Sequence, residues 1–236
     1  MVKPFPVVCV SMIVLACCAE SRRPAGDAGP PSTAAPATVA RSVRLDFEGG
    51  APGSLPAEMR TGRTGGGPPG TWVLERVEGA PSGSLVLGQT DADDTDSRFP
   101  LCVYEPLRAR DVRAQVRFRA LRGEVDQAAG VVVRHRDANE YYVARANALE
   151  GNVRLYRVVG GQRQQFAGKS VEVEKGRWHE LGLEVVGSHF RVSLDGVVLF
   201  EADDAALPDA GRVGLWTKAD SITQFDDLAI EVLEAR

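Results

Sequence analysis

From Val43 onward, apolar and polar residues alternate in short runs. Val43, Leu45 and Phe47 are interleaved with Arg44, Asp46 and Glu48, and Val112, Ala114, Val116, Phe118 and Ala120 with Arg113, Gln115, Arg117 and Arg119. A period of two sends successive side chains to opposite faces, which predicts strands with one buried face. Similar runs cover Trp72–Val77, Ser84–Leu87, Leu101–Tyr104, Ala129–His135, Tyr141–Asn147, Val153–Val159, Trp178–Val185, Phe190–Leu194 and Val197–Phe200. Turn residues separate them: Asp137–Glu140, Glu150–Asn152, Gly160-Gly161, Gly187 and Asp195-Gly196. Asp-Gly and Gly-Gly between alternating runs predict two-residue hairpins. Only Ala202–Leu207 has the pattern of a helical turn.

More than ten hairpin-connected strands predict an all-β domain, a two-sheet antiparallel jelly-roll sandwich over residues 42–236. The last run, Gly211–Val232, reads GRVGLWTKADSITQFDDLAIEV and ends in alternating Leu228, Ile230 and Val232. The first and last strands are expected to pair, placing Phe47 and Leu228 in one sheet. Phe225 is out of step with Leu228, which predicts a bulge at Asp226-Asp227.

The N-terminus has a different pattern. Lys3 precedes an apolar stretch, Phe5–Ala16, shorter than the ~20 residues that span a bilayer but suited to a signal segment. Val14-Leu15-Ala16-Cys17 resembles a bacterial lipobox, so residues 1–17 are expected to be a lipoprotein-type signal with lipid on Cys17. An ordinary secretory signal with incidental cysteines is the alternative. Residues 18–41, rich in Ala, Pro, Ser and Thr, have no apolar period and predict a flexible linker. The expected location is extracytoplasmic, lipid-anchored to a bacterial membrane or secreted to the periplasm.

Composition narrows this further. Hydrophobic residues make up 44% of the chain, enough for a substantial core. A net charge of −4 without a basic cluster argues against a nucleic-acid partner. Of four cysteines, Cys9 and Cys17 fall in the signal, leaving Cys18 and Cys102, which is no disulfide framework. Cys102, in Phe99-Pro-Leu-Cys-Val-Tyr104, reads as a small core hydrophobe.

Three segments carry a resemblance: Asn139–Asn147 (NEYYVARAN), Leu155–Gly161 (LYRVVGG) and Gly211–Asp227, with Trp178 and Phe190–Gly196 at matching spacing. They resemble the concanavalin A-like jelly-roll superfamily, and in particular bacterial 3-keto-disaccharide hydrolase-like domains. The resemblance implies the sandwich fold, and either carbohydrate binding or glycoside chemistry. The Gly-Tyr-Glu-like triplet of the hydrolase pattern is absent, since Glu140 precedes Tyr141-Tyr142.

Several motifs carry candidate chemistry. Glu124-Val125-Asp126 begins like a two-carboxylate glycosidase strand, but Gln127-Ala128-Ala129 follows, so the segment reads as a solvated turn. Asp91–Asp96 holds four carboxylates but has Asp96 and Cys102 where an EF-hand loop needs Gly and Glu, so a flexible acidic loop is the favoured reading and a calcium loop of another kind the alternative. Asp46, Asp226 and Asp227 could meet at the seam of first and last strands and hold a structural Ca²⁺; the alternative, favoured here, is that Asp226 caps backbone amides at the bulge. No other cofactor is expected. His135, His179 and His189 lie on separate runs with no ligand or triad spacing.

The strongest ligand candidates are Arg145, Asn147, Trp216 and Lys218, with Arg134 and Tyr156 beside them. Sugars are held by aromatic faces against C–H groups and by planar donors to hydroxyls. Arg145 and Asn147 share a face, as do Trp216 and Lys218. The leading expectation is a membrane-tethered module binding carbohydrate on its concave sheet, with contact to the membrane through the lipid alone. The alternatives are a 3-keto-disaccharide-type hydrolase or lyase, with Asp220, Asp226 or a histidine as base, and a non-catalytic envelope scaffold.

Overall fold

A computed structural model describes residues 37–234. The signal segment, Cys17 and most of the linker lie outside the described residues. Fifteen strands follow in order: β1 (Thr38–Leu45), β2 (Met59–Gly65), β3 (Trp72–Arg76), β4 (Leu85–Gln89), β5 (Arg98–Ala109), β6 (Val112–Arg122), β7 (Ala128–Asp137), β8 (Glu140–Asn147), β9 (Asn152–Val159), β10 (Gln162–Ser170), β11 (His179–Val186), β12 (His189–Leu194), β13 (Val197–Asp203), β14 (Gly211–Trp216) and β15 (Ile222–Glu234). β1 begins at Thr38, ahead of the boundary at 42 drawn from sequence, because Thr38 to Leu45 find partners along β15 from Glu234 to Leu228. Ala202–Leu207 is not helical: β13 runs to Asp203, and the Asp204 carboxylate then accepts the Ala206 amide and the Tyr142 hydroxyl.

Two antiparallel sheets form the sandwich. One has eight strands in the order β13-β12-β11-β6-β15-β4-β3, with β1 also on β15; the other has seven, β10-β9-β8-β7-β14-β5-β2. The core between them draws Phe118, Leu181, Phe190, Phe225 and Ile230 from the first sheet and Val131, Tyr142, Ala144, Leu155 and Leu215 from the second. Cys102 is buried there. The β9–β10 and β12–β13 hairpins turn on Gly160-Gly161 and Asp195-Gly196, each pair with both φ angles positive. That is the turn whose twist matches the strands it joins.

The first and last strands pair as the alternation predicted, but it is Leu45 that faces Leu228: β1 ends there, and Phe47, at φ 60, lies past the strand and outside the sheet. β15 lies inside the sheet, bonded to β6 from Ile222 to Val232, to β4 at Thr223–Phe225 and to β1 from Leu228 to Glu234. The change of partner falls at a bulge between Asp226 and Ala229, with Asp227 at φ 53. Asp226, fully buried, accepts the Ser82 amide and hydroxyl and the Asp227 amide. Asp227 pairs with Arg44 at 2.7 Å and lies 3.7 Å from Arg117. Asp46 instead accepts the Glu48 amide. Each carboxylate thus has a local task, and among the described residues no group of three potential metal ligands comes together.

Candidate functional site

The seven-stranded sheet turns one face inward and one outward. On β8, Tyr142, Ala144 and Ala146 enter the core, so Tyr141, Val143, Arg145 and Asn147 take the outer face. Register carries this parity to Val158, Tyr156, Arg154 and Asn152 on β9. The outer face has its own apolar cluster, including Phe99, Leu101, Val132, Tyr141, Tyr156 and Trp216, all from this sheet.

That face is strongly curved. The Arg163 guanidinium on β10 lies 4.6 Å from the Phe99 ring on β5, although five strand spacings separate them. On a flat sheet those backbones would stand ~24 Å apart, beyond the reach of one arginine and one phenylalanine. The Tyr141 hydroxyl on β8 likewise lies 2.9 Å from Thr64 Oγ1 on β2. Phe99 stacks on Trp216 with centroids 5.4 Å apart, and Trp216 Nε1 donates to Tyr141 Oη at 3.3 Å.

At the other end of the face, where β7, β8 and β9 meet the 123–127 loop, a charged network replaces the rings. Asp220 fixes the loop: its carboxylate accepts the amides of Glu124, Val125 and Asp126. Burial alone would raise the Asp220 pKa, but those amides outweigh it and hold the carboxyl below the usual range. The loop in turn presents Asp126, with no exposed surface. Asn147 Nδ2 donates to Asp126 Oδ1 at 2.8 Å, Lys218 Nζ stands 3.0 Å from Oδ2, and Arg145 Nη1 is 4.0 Å away. The lysine is close but off the hydrogen-bond direction, so Oδ2 has no hydrogen-bond partner. Burial raises the Asp126 pKa against the pull of Lys218 and Arg145.

The second carboxylate is Glu150. Arg145 grips it through both terminal nitrogens, at 3.1 and 2.8 Å, and also reaches Asn152 Oδ1. Held by Arg145, Glu150 titrates near 2 despite partial burial. Asn147 Oδ1 accepts the amides of Leu149 and Glu150, closing the β8–β9 turn. Lys218 also pairs with Asp96 of the acidic loop. Val125 and Leu149, on the two loops flanking the network, are exposed apolar side chains.

Three of the residues singled out from sequence, Arg145, Asn147 and Lys218, therefore meet at one carboxylate. Tyr156 is adjacent, with the Arg145 guanidinium 5.7 Å from its ring. Trp216 shares the face but has no exposed surface, so a stacking role for it is corrected: it is the floor under Arg163, not a platform. Arg134 is corrected too. At φ 50 its buried side chain turns away to the carbonyls of Arg110, Leu207 and Gly187. Asp220 and Asp226, candidate bases from sequence, are both committed to loop amides. Sequence reasoning missed Asp126, read as solvated, as well as Glu150 and Arg163. The Asn147-x-x-Glu150-x-Asn152 spacing was the visible signal for Glu150; nothing local marked Asp126, whose partners come from distant strands.

A cavity of about 410 Å³ lies elsewhere, between the end of β1 and the 49–58 loop, lined by Phe47, Leu55 and Leu74 with Arg44, Asp46 and Glu58. Arg44 is already tied to Asp227 and Asp46 to a backbone amide, so this cavity offers shape without convergent free donors.

Sandwich topology and an outer face with its own ring cluster and charged network define a lectin-like jelly roll. The fold is that of the concanavalin A-like jelly rolls. Residues 120–233 match the family model described as the galactocerebrosidase C-terminal lectin domain. Among solved structures, the carbohydrate-binding module CBM66 from Bacillus subtilis is 19% identical, with TM-score 0.53 over 68% of this chain and 94% of its own. The cellulose-induced protein Cip1 is 13% identical, with TM-score 0.57 over 80% and 96%. A Bacillus subtilis protein of unknown function with a galectin-like fold is 11% identical, with TM-score 0.56 over 85% and 100%. At these identities the likeness is one of fold. No curated protein matches the chain.

Proposed function

We propose that this domain is a carbohydrate-binding jelly roll that takes its ligand on the curved outer face of the seven-stranded sheet, beside the Asp126 network. The observation that carries the reading is the meeting of Arg145, Asn147 and Lys218 at one buried carboxylate, next to Tyr156 and between two loops that expose Val125 and Leu149. Such a network fixes side chains before the ligand arrives, while the flanking apolar groups suit sugar C–H faces. The fold's likeness to a carbohydrate-binding module and the lectin-domain family match support the same reading. A binding role is favoured over hydrolysis because neither carboxylate is free to act as acid or base: Asp126 has no exposed surface and Glu150 is held by Arg145. Glycan-array screening tests this. Binding to a defined glycan, lost when Leu149 and Val125 are both changed to Asp with the fold retained, supports it; no binding across the array overturns it.

In this reading the domain works outside the cytoplasm, tethered through lipid on Cys17 by the Ala/Pro-rich segment. Cys17→Ser should release it from the membrane fraction; unchanged lipid labelling would remove Cys17 from the account.

A further inference from the structure

We propose that the saccharide taken by this face is anionic, its carboxylate or sulfate held between Arg154 and Arg163 over Tyr156. The inference rests on the carbohydrate reading above and adds the ligand's charge.

Tyr156 on β9 is flanked on both sides by arginines. Arg154 lies two residues before it on the same face, and Arg163 on β10 lies diagonally across, with its guanidinium 4.5 Å from the Tyr156 ring. Neither arginine has a carboxylate partner among the described residues. The acidic groups of the face are engaged elsewhere: Glu150 by Arg145, Asp126 and Asp96 by Lys218, and Glu105 by Arg212 at 3.0 Å.

Three features make this more than a solvated basic patch. Arg154 stands directly opposite Arg145 across the β8–β9 ladder, a like-charge pairing that costs stability unless an anion sits nearby. Arg145 is neutralised by Glu150; Arg154 is not. The sheet also makes room for Arg154. A Cβ on Gly168 would come 2.5 Å from Arg154 Cδ and 2.9 Å from the Val153 carbonyl oxygen, so the glycine lets the arginine stem lie across β10. Finally, Arg163 is held over three rings, Phe99, Tyr156 and Trp216, yet its Nη1 is buried with no hydrogen-bond partner. A guanidinium only donates, so what completes this site must bring acceptors, and an oxyanion matches that need in charge and geometry.

The test is titration calorimetry of the full chain with three probes: tetragalacturonic acid, a sulfated galactan tetrasaccharide and neutral galactotetraose. The acidic probes should bind at least roughly tenfold tighter than the neutral one, and high salt should erase most of that advantage. Whether the carboxylate or the sulfate probe binds tighter identifies the source of the anion. Arg154→Gln, whose side chain supports no packing in the ring cluster, should remove the advantage, and Arg154→Lys should restore part of it. Arg163→Gln, with folding checked by circular dichroism, should do the same. Equal or tighter binding of galactotetraose overturns the anionic assignment and leaves the carbohydrate reading standing. Failure of all three saccharides, together with an empty glycan array, overturns both. Charge-selective binding unchanged in both arginine variants overturns the assignment to this pair.

Discussion

Lys218 Nζ lies 3.0 Å from Oδ2 of Asp126, a carboxylate with no exposed surface. The lysine follows β14 and the aspartate precedes β7, strands that are neighbours in the sheet but far apart in sequence. A buried charge is tolerable only while its partner is present. Lys218→Met should therefore destabilise the domain by about 3 kcal/mol, read from urea unfolding, and adding Asp126→Asn should recover most of the loss. A single variant as stable as the native chain would show that Arg145 and Asn147 alone carry the carboxylate.

Trp216→Ala is expected to act on stability before it acts on binding. The indole is stacked on Phe99, covered by Arg163 and bonded to Tyr141. Its removal leaves a large cavity in a curved face and should cost about 3–5 kcal/mol in denaturant unfolding. Native stability with lost glycan binding would return the residue to the role of a surface platform.

Acid should weaken the fold in two windows. His135 is pushed down to about 4 by burial and by Arg212, so the unfolded chain takes up the proton first as pH falls from 6.5. Stability from a neutral His135 is complete above that range and is lost on the way to pH 4. Glu150 keeps its charge to about 2 through Arg145, so its contribution disappears between 4.5 and 2. Thermal unfolding against pH should show both falls. Glu150→Gln should flatten the lower one alone, and histidine NMR titration should find His135 well below its ordinary value.

Truncation after Gln224 should be ruinous. All but the first three residues of β15 would be lost, a stretch that holds β1 on one side and β6 on the other and carries Asp226 and Asp227 with their ties to Ser82, Arg44 and Arg117. Two interior edges would be left open, which favours association through unpaired strands. Size-exclusion chromatography should show aggregates; a soluble monomer with a cooperative melt would contradict the interior position of β15.

Much of the fold was legible along the chain because a strand's face is a local property. Alternation at Val112–Ala120 put Val116 and Phe118 in the core, and Gly160-Gly161 and Asp195-Gly196 announced their hairpins. The break in step after Phe225 located the bulge where β15 changes partners. Two residues apart on one strand was also enough to place Arg145 with Asn147 on a shared face.

Sequence by itself determined the strands, their faces, the sheet class and three of the polar residues at the network. Tertiary structure decided what those residues meet. Asp126 looked solvated because Gln127-Ala128-Ala129 follows it where a glycosidase strand needs its second acid, yet Asp220 folds its loop inward to Asn147 and Lys218. Trp216 and Arg163 depended on curvature, which brings β10 over β5 and β14, and curvature is the sum of many small strand twists that no short segment records. Arg134 left the face through a single positive φ within β7, a backbone choice imposed where Gly211 of β14 packs against it and invisible to alternation. Period and turn chemistry are written in neighbouring residues; burial, charge pairing and the use of an aromatic face are set by which strands the sheet brings together.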